Sequence, residues 1–120
     1  MEMTQQPLRA AVTGWRAWLE QNHADKNGVW VQISKKNAST PKITLEEATE
    51  EALCFGWIDS AMRPIDEERY ALRFTPRRRG SRWSRPNKER AMRLIEQGRM
   101  TQAGLAKIRE AEQNGRWNES

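Results

Sequence analysis

Glu51-Ala52-Leu53-Cys54-Phe55-Gly56-Trp57-Ile58-Asp59-Ser60 decides how this 120-residue chain folds. It joins the end of an acidic helical pattern to the start of a strand. Gly56 suits the left-handed position that stops a helix, because glycine has no Cβ to clash there. The apolar run from Leu53 to Ile58 then breaks at Asp59, a carboxylate at the mouth of a buried segment.

Upstream, Thr44-Leu45-Glu46-Glu47 reads as a capping box. The Thr44 hydroxyl can accept the Glu47 N–H, and the Glu47 carboxylate can return to the Thr44 N–H. Leu45, Ala48, Thr49, Ala52 and Leu53 form the inner stripe of this helix, with Glu46, Glu47, Glu50 and Glu51 outside it. Before it, Val29–Ser34 has the β-branched and aromatic content of a strand, with Val29, Val31 and Ile33 on one side and Trp30, Gln32 and Ser34 on the other. An earlier helical pattern follows Pro7, carried by Leu8, Ala11, Val12, Trp15, Leu19 and Asn22. His23 falls in the polar loop after it and reads as a loop or helix-end hydrogen-bonding residue.

Downstream, Trp57–Met62 and Arg69–Thr75 read as a hairpin around a polar turn at Pro64. Tyr70, Leu72 and Phe74 lie on one side of the second strand; Arg69, Ala71, Arg73 and Thr75 lie on the other. Ser84 and Thr101 can cap two last helices, stopped by Gly98 and Asn114-Gly115. The expected fold is α+β: an N-terminal helix, a small three-stranded sheet, a crossover helix and two C-terminal helices. The sheet is mixed if its first two strands pair in parallel. Residues 1–7 read as a flexible arm, 8–113 as one domain and 114–120 as a loosely held tail.

Composition excludes several classes. One cysteine and one histidine make neither an internal disulfide nor a Cys/His zinc site. No glycine-rich phosphate fingerprint is present, and neither a metal nor a cofactor is implied. The N-terminus lacks a secretory apolar core, and no run approaches membrane-spanning length, so a cytoplasmic location is expected. The net charge of +5 is polarised: Glu46–Glu68 holds eight acids and one base, whereas Arg69–Arg99 holds eleven bases and two acids. Arginines outnumber lysines fifteen to six, and the guanidinium fork suits carboxylate or phosphate.

Cys54 reads as a buried core thiol, since a helix C-terminus disfavours a thiolate. Asp59 is the candidate catalytic carboxylate, with a strand-end ion pair as its structural role. The strongest binding signal is the basic loop. There Arg77, Arg78 and Arg82 surround Trp83 just before Ser84 and Asn87 open a helix, so guanidiniums, helix-start N–H groups and an aromatic face converge. Trp57 belongs to its edge. The competing reading wedges Trp83 into the core and sets several arginines against the acidic helix.

An ordered series of residues adds a resemblance. It runs from Trp15-Arg16-Ala17-Trp18-Leu19-Glu20 and Asn22-His23-Ala24 to Glu51–Asp59. It continues through Asp66-Glu67-Glu68-Arg69-Tyr70, Arg73-Phe74-Thr75-Pro76-Arg77 and Trp83-Ser84 to Gly98-Arg99-Met100-Thr101. Over roughly residues 12–112 the chain resembles the YdeI/OmpD-associated family, the bacteriocin-protection proteins. Ser60, Gln102 and Arg78-Arg79 depart from the family pattern. The resemblance implies a small bacterial protein tied to protection against bacteriocins or cationic peptides, with a porin link; since no export signal is read in the sequence, that contact is expected to be indirect or to need another export route. It implies no catalytic residues. Three functions follow as expectations: a non-enzymatic binding or stress-protection protein with an anion-binding basic loop; a small enzyme with a pocket at Trp57 and Asp59 acting on an anionic or sugar-like substrate; or an RNA- or DNA-binding module.

Overall fold

The structure, a computed structural model, describes residues 6–118. It is α+β, with four helices and three strands in the order α1 (Val12–Asn22), β1 (Val29–Ser34), α2 (Leu45–Cys54), β2 (Trp57–Pro64), β3 (Arg69–Pro76), α3 (Arg85–Glu96) and α4 (Gln102–Gln113). The expected arm falls outside the described residues from 1 to 5. Leu8 does not begin the first helix. Its N–H donates to the Trp30 carbonyl at 2.7 Å, and its own carbonyl accepts from Gln32 N–H at 2.9 Å, so the segment lies as a parallel bridge on the edge of β1. A sheet edge satisfies both backbone groups of Leu8, whereas a first helical turn leaves its N–H unpaired.

The sheet order is β1-β3-β2, and both strand pairs are antiparallel. β1 and β2 therefore run in the same direction, but β3 lies between them. The expected hairpin is present. The parallel pairing considered for the first two strands is replaced by insertion of β3, whose alternation serves two partners at once. α2 bridges β1 to β2 and touches α1, α3 and α4 as well as both strands.

That central position changes which faces of α2 are buried. Leu45, expected inside, is 48% exposed, whereas Glu51, expected outside, is 3% exposed. The C-terminal half of α2 is enclosed on several sides, so the one-sided stripe of a surface helix does not describe it. Glu51 meets Arg16 at 2.8 Å and Arg99 at 2.6 Å. Beyond it, Arg90 grips Glu46 with two hydrogen bonds of 2.8 Å, and Arg93 reaches Glu50 at 2.9 Å. Much of the sequence polarity is thus internal pairing between α2 and its neighbours.

Trp15, Leu19, Val31, Ile33, Leu53, Cys54, Trp57, Phe74, Trp83 and Leu94 are core residues. The Trp15 indole N–H donates to the buried Ala48 carbonyl at 3.0 Å, as a buried indole requires. Gly56 adopts φ +77° at the end of α2, and Gly98 adopts φ +72° after α3. The capping box at Thr44 and Glu47 and the caps at Ser84 and Thr101 are all formed. The tail is held as far as Trp117. Its ring lies 5.1 Å from that of Trp83, and its N–H donates to the Ala111 carbonyl. Residues 119 and 120 lie outside the described residues. No helix among the described residues is long and apolar enough to cross a membrane.

The turn between β2 and β3 makes one pH prediction. Asp66 accepts from the Arg69 guanidinium at 2.6 Å and from the Glu68 and Arg69 N–H groups at 2.9 Å. The guanidinium hydrogen bond, then the backbone donors, hold its carboxyl down to about 2. A depressed carboxylate stabilises the fold above its unfolded value of about 3.9, and that contribution fades as pH falls through the folded value. The turn should keep its ion pair down to about pH 2. Carboxyl-carbon NMR should show Asp66 titrating there, and a midpoint near the unfolded value would refute the geometry.

Candidate functional site: a basic pocket at one end of the open sheet face

β3 sends Phe74 into the core and Arg73 and Thr75 to the opposite face. Thr75 pairs across with Ile58 of β2, and a register shift between Asp59 and Ala61 bends β2 at Ser60. Beyond β3 the chain turns at Arg77, whose N–H donates to the Gly56 carbonyl at 2.9 Å. The helix stop that organises the sequence therefore also anchors the basic loop.

These elements line a wide, solvent-open pocket of about 940 Å³. Arg73, Arg77 and Arg78 line it, together with the amide of Asn27 and the hydroxyls of Ser60, Thr75 and Ser81. No carboxylate is among the lining residues. Arg73, Arg77 and Arg78 make no ion pair among the described residues, in contrast to Arg16, Arg90, Arg93 and Arg99. Gly28 makes room for Arg73, since a Cβ there would stand 2.4 Å from its guanidinium nitrogen.

Arg77 is the unusual member. It is 2% exposed, and its guanidinium carbon lies 3.7 Å from the Trp83 ring centroid. One terminal nitrogen donates to Ser81 Oγ at 2.7 Å and to the Arg82 carbonyl at 3.2 Å. Its Nε and second terminal nitrogen are buried without a partner. Burial pulls the guanidinium down to about 10, and the charge of Asp59 pulls the other way. Arg77 therefore remains a cation at neutral pH, desolvated and only half satisfied. Buried donors in this state interact strongly with an anion, because the local dielectric is low. The Ser81-Arg82 segment covers it, and nothing lies within 4 Å of a Cβ built on Gly80 in the same loop.

The sequence-predicted residues separate here. Arg77 and Arg78 line the pocket. Trp83 and Trp57 are core residues, 2% and 1% exposed, with Trp57 set edge-on to Trp18. Ser84 caps α3 by accepting the Asn87 N–H at 3.2 Å, and Asn87 Oδ1 accepts from Arg90. Both are structural at these contacts. Arg82 is exposed and supplies its carbonyl to Arg77. Asp59 is exposed and pairs across with Phe74, so it stands on the face opposite Arg73 and Thr75. Its side chain makes no hydrogen bond or ion pair among the described residues. Its charge is felt by Arg77 and also by Tyr70, whose hydroxyl is pushed up by burial first and by Asp59 second. Asp59 and Trp57 are absent from the pocket wall.

Cys54 is buried and free, and burial pushes its thiol up. The His23 ring is hydrogen-bonded to the Leu19 carbonyl at 2.8 Å. No three His, Cys, Asp or Glu side chains converge as metal ligands among the described residues. Asn27, Ser60, Arg73 and Thr75 join the pocket without a binding motif of their own in the sequence. The signal for Arg73 and Thr75 was the strand alternation that sets them opposite Phe74; Asn27 and Ser60 join only through tertiary contact. A second pocket, of about 770 Å³, lies at the far end of the sheet. There Arg9, Lys42 and Arg69 face Asp66, Glu67 and Glu68, so its charges offset one another.

A family model described as a domain of unknown function, DUF8412, matches residues 9–107, and the chain belongs to that family. No curated protein and no solved structure matches the chain.

Proposed function

We propose that this member of the DUF8412 family is a non-enzymatic binding protein of the cytoplasm whose basic pocket takes a phosphate-bearing or similar anionic ligand. The observation that carries this reading is the pocket wall: three guanidiniums without carboxylate partners, four neutral polar side chains and no acid. By contrast, Arg16, Arg69, Arg90, Arg93 and Arg99 are balanced by Glu46, Glu50, Glu51 or Asp66. Arg73 and Arg78 offer planar donor forks to a phosphate, and Arg77 lies behind them as a second layer of positive charge. The neutral hydroxyls and amide can orient the ligand without adding charge.

The protective role implied by the sequence resemblance fits this reading through the anion. A chain of net charge +5 repels a cationic peptide. Protection would therefore work by holding an anion, not by capturing the peptide. A porin link, on the same reading, is indirect.

Titration with inorganic pyrophosphate at low salt tests the proposal. The Nε–H resonances of Arg73, Arg77 and Arg78 should shift together, and binding should weaken as salt rises. Replacing both Arg73 and Arg78 by alanine should reduce affinity at least about tenfold, equivalent to about 1.4 kcal/mol. These two side chains are outside the helix-packed core, so the double variant should fold. Unchanged affinity in a folded double variant, or absence of any arginine shift in the wild type, would overturn the assignment.

A further inference from the structure

The face of the sheet that carries Arg73 continues past the pocket. Trp30 of β1 stands directly opposite Arg73, and Ala61 of β2 stands opposite it on the other side. The next row across the sheet is Gln32, Ala71 and Arg63. The core cluster takes its strand residues from the other face, through Val31, Ile33, Leu72 and Phe74. The Trp30 face therefore stands apart from that cluster, with one half-buried indole on β1 and the buried Ala71 at its centre on β3.

Its charge is one-sided where it meets the pocket. Arg63, like Arg73, makes no ion pair among the described residues; its guanidinium carbon lies 4.7 Å from the Trp30 ring centroid. The acids of this region cluster at the opposite end. There Asp66 is held by Arg69, and Glu68 accepts from Ser39. From Trp30 toward the basic loop, Arg73, Arg77 and Arg78 follow one another along the path of β3.

We propose that this open face is a binding platform for single-stranded nucleic acid, with a base stacked on Trp30 and the phosphate backbone running past Arg73 into the basic pocket. The inference rests on the anion-binding reading above and adds to it a polymer and a base. An aromatic ring beside a cationic track is what sequence-tolerant single-strand binding requires, because every base offers a π-face and every linkage a phosphate. Arg63 now covers the indole. A surface cation–π contact is weaker than base stacking, so an incoming base displaces the guanidinium or is sandwiched beneath it. A duplex keeps its bases stacked inside and cannot use a lone indole on a sheet. A lipid surface would want protruding apolar side chains, but exposed Met62 pairs across with Leu72 and so points to the other face. An acidic peptide would satisfy the arginines and leave Trp30 unused.

Fluorescence anisotropy with a short labelled oligothymidylate tests this, run beside the pyrophosphate titration. The wild type should bind the oligonucleotide more tightly than pyrophosphate. For about three phosphates neutralised, the logarithm of affinity should fall with the logarithm of salt at a slope of about −2. Trp30→Ala should weaken oligonucleotide binding about tenfold or more and leave pyrophosphate binding unchanged, a split that general unfolding cannot produce. If Trp30→Ala fails to fold, Trp30→Leu keeps apolar packing, removes the ring and should show the same split. Wild type that binds pyrophosphate but not oligonucleotide overturns the platform and leaves the pocket intact; wild type that binds neither overturns both. Oligonucleotide affinity unchanged in Trp30→Leu would also overturn it. So would tighter binding to a duplex of the same length, or to anionic vesicles or polyglutamate at matched salt.

Discussion

Glu51→Ala should destabilise the fold by about 2–4 kcal/mol. Removing one partner of a buried ion pair typically costs about 3–5 kcal/mol, because a charge is left uncompensated. Here the lower range applies, since the side chains of Arg16 and Arg99 keep 29% and 35% of their exposure and can recruit water. Glu51 itself has no such recourse, with 4% of its side chain exposed. Arg16 also donates to the Arg99 carbonyl at 3.0 Å and lies over the Phe55 ring. The carboxylate thus ties α1, the end of α2 and the α3–α4 connection at one point. Denaturant unfolding measures the loss directly. A double-mutant cycle with Arg99→Ala should return a coupling energy of at least about 0.5 kcal/mol, as directly paired residues do. Additive single losses would mean that Arg99 is not an energetic partner of Glu51.

Gly104→Ala should also destabilise, against the helix propensity that favours alanine by about 1 kcal/mol. Gly104 lies in the first turn of α4, where that helix meets the end of α2. A Cβ there would stand 2.5 Å from the Cys54 carbonyl oxygen and 2.9 Å from its carbon, and 2.4 Å from Met100 Sδ. The methionine can swing away; the backbone cannot. Moreover, the Thr101 N–H and hydroxyl both donate to that same Cys54 carbonyl, so α4 caps α2 through the contact a methyl group would push apart. Against backbone that cannot give way, the upper end of the usual overpacking cost, about 3 kcal/mol, applies, so we expect a net loss of about 2 kcal/mol after a propensity gain of about 1 kcal/mol. Gly98→Ala is the control: its φ of +72° is strained for alanine, but nothing lies within 4 Å of the added Cβ. It should lose only about 1–2 kcal/mol from the left-handed backbone. A Gly104→Ala protein more stable than wild type would refute the close helix approach.

The arginines that answer Glu51 and the rest of α2 are not those of the basic pocket, and the division matters for function. Arg16, Arg90, Arg93 and Arg99 stabilise the helical layer by answering α2. Arg63, Arg73, Arg77 and Arg78 have no carboxylate partner among the described residues; Arg63 and Arg73 stand on the opposite face of the sheet, and Arg77 and Arg78 follow in the loop at its end. Charge removed from the first set should appear as lost stability. Charge removed from Arg73 or Arg78 should appear as lost binding. A single sum of charge over the basic segment conceals this, because it adds Arg73, Arg77 and Arg78 to Arg90, Arg93 and Arg99.

Much of the secondary structure was legible without the fold. Thr44 and Glu47, Ser84, Thr101, Gly56 and Gly98 act through neighbours a few residues away, so caps and stops can be read locally. The alternation Tyr70-Leu72-Phe74 against Arg73-Thr75 likewise fixed the two faces of β3, because the period of a strand is two. Tertiary packing alone decided that β3 separates β1 from β2, since both neighbours present compatible edges and local pattern carries no partner identity. It also decided that Leu8 joins the sheet edge, that Trp83 and Trp57 enter the core and that Glu51 is enclosed. Burial depends on what surrounds a residue, and α2 is surrounded on several sides. For the same reason the loop sequence could suggest an anion site near Arg77 and Arg78. Only folding the sheet beside that loop brought Arg73, Thr75, Ser60 and Asn27 to the same pocket and left Asp59 on the other face.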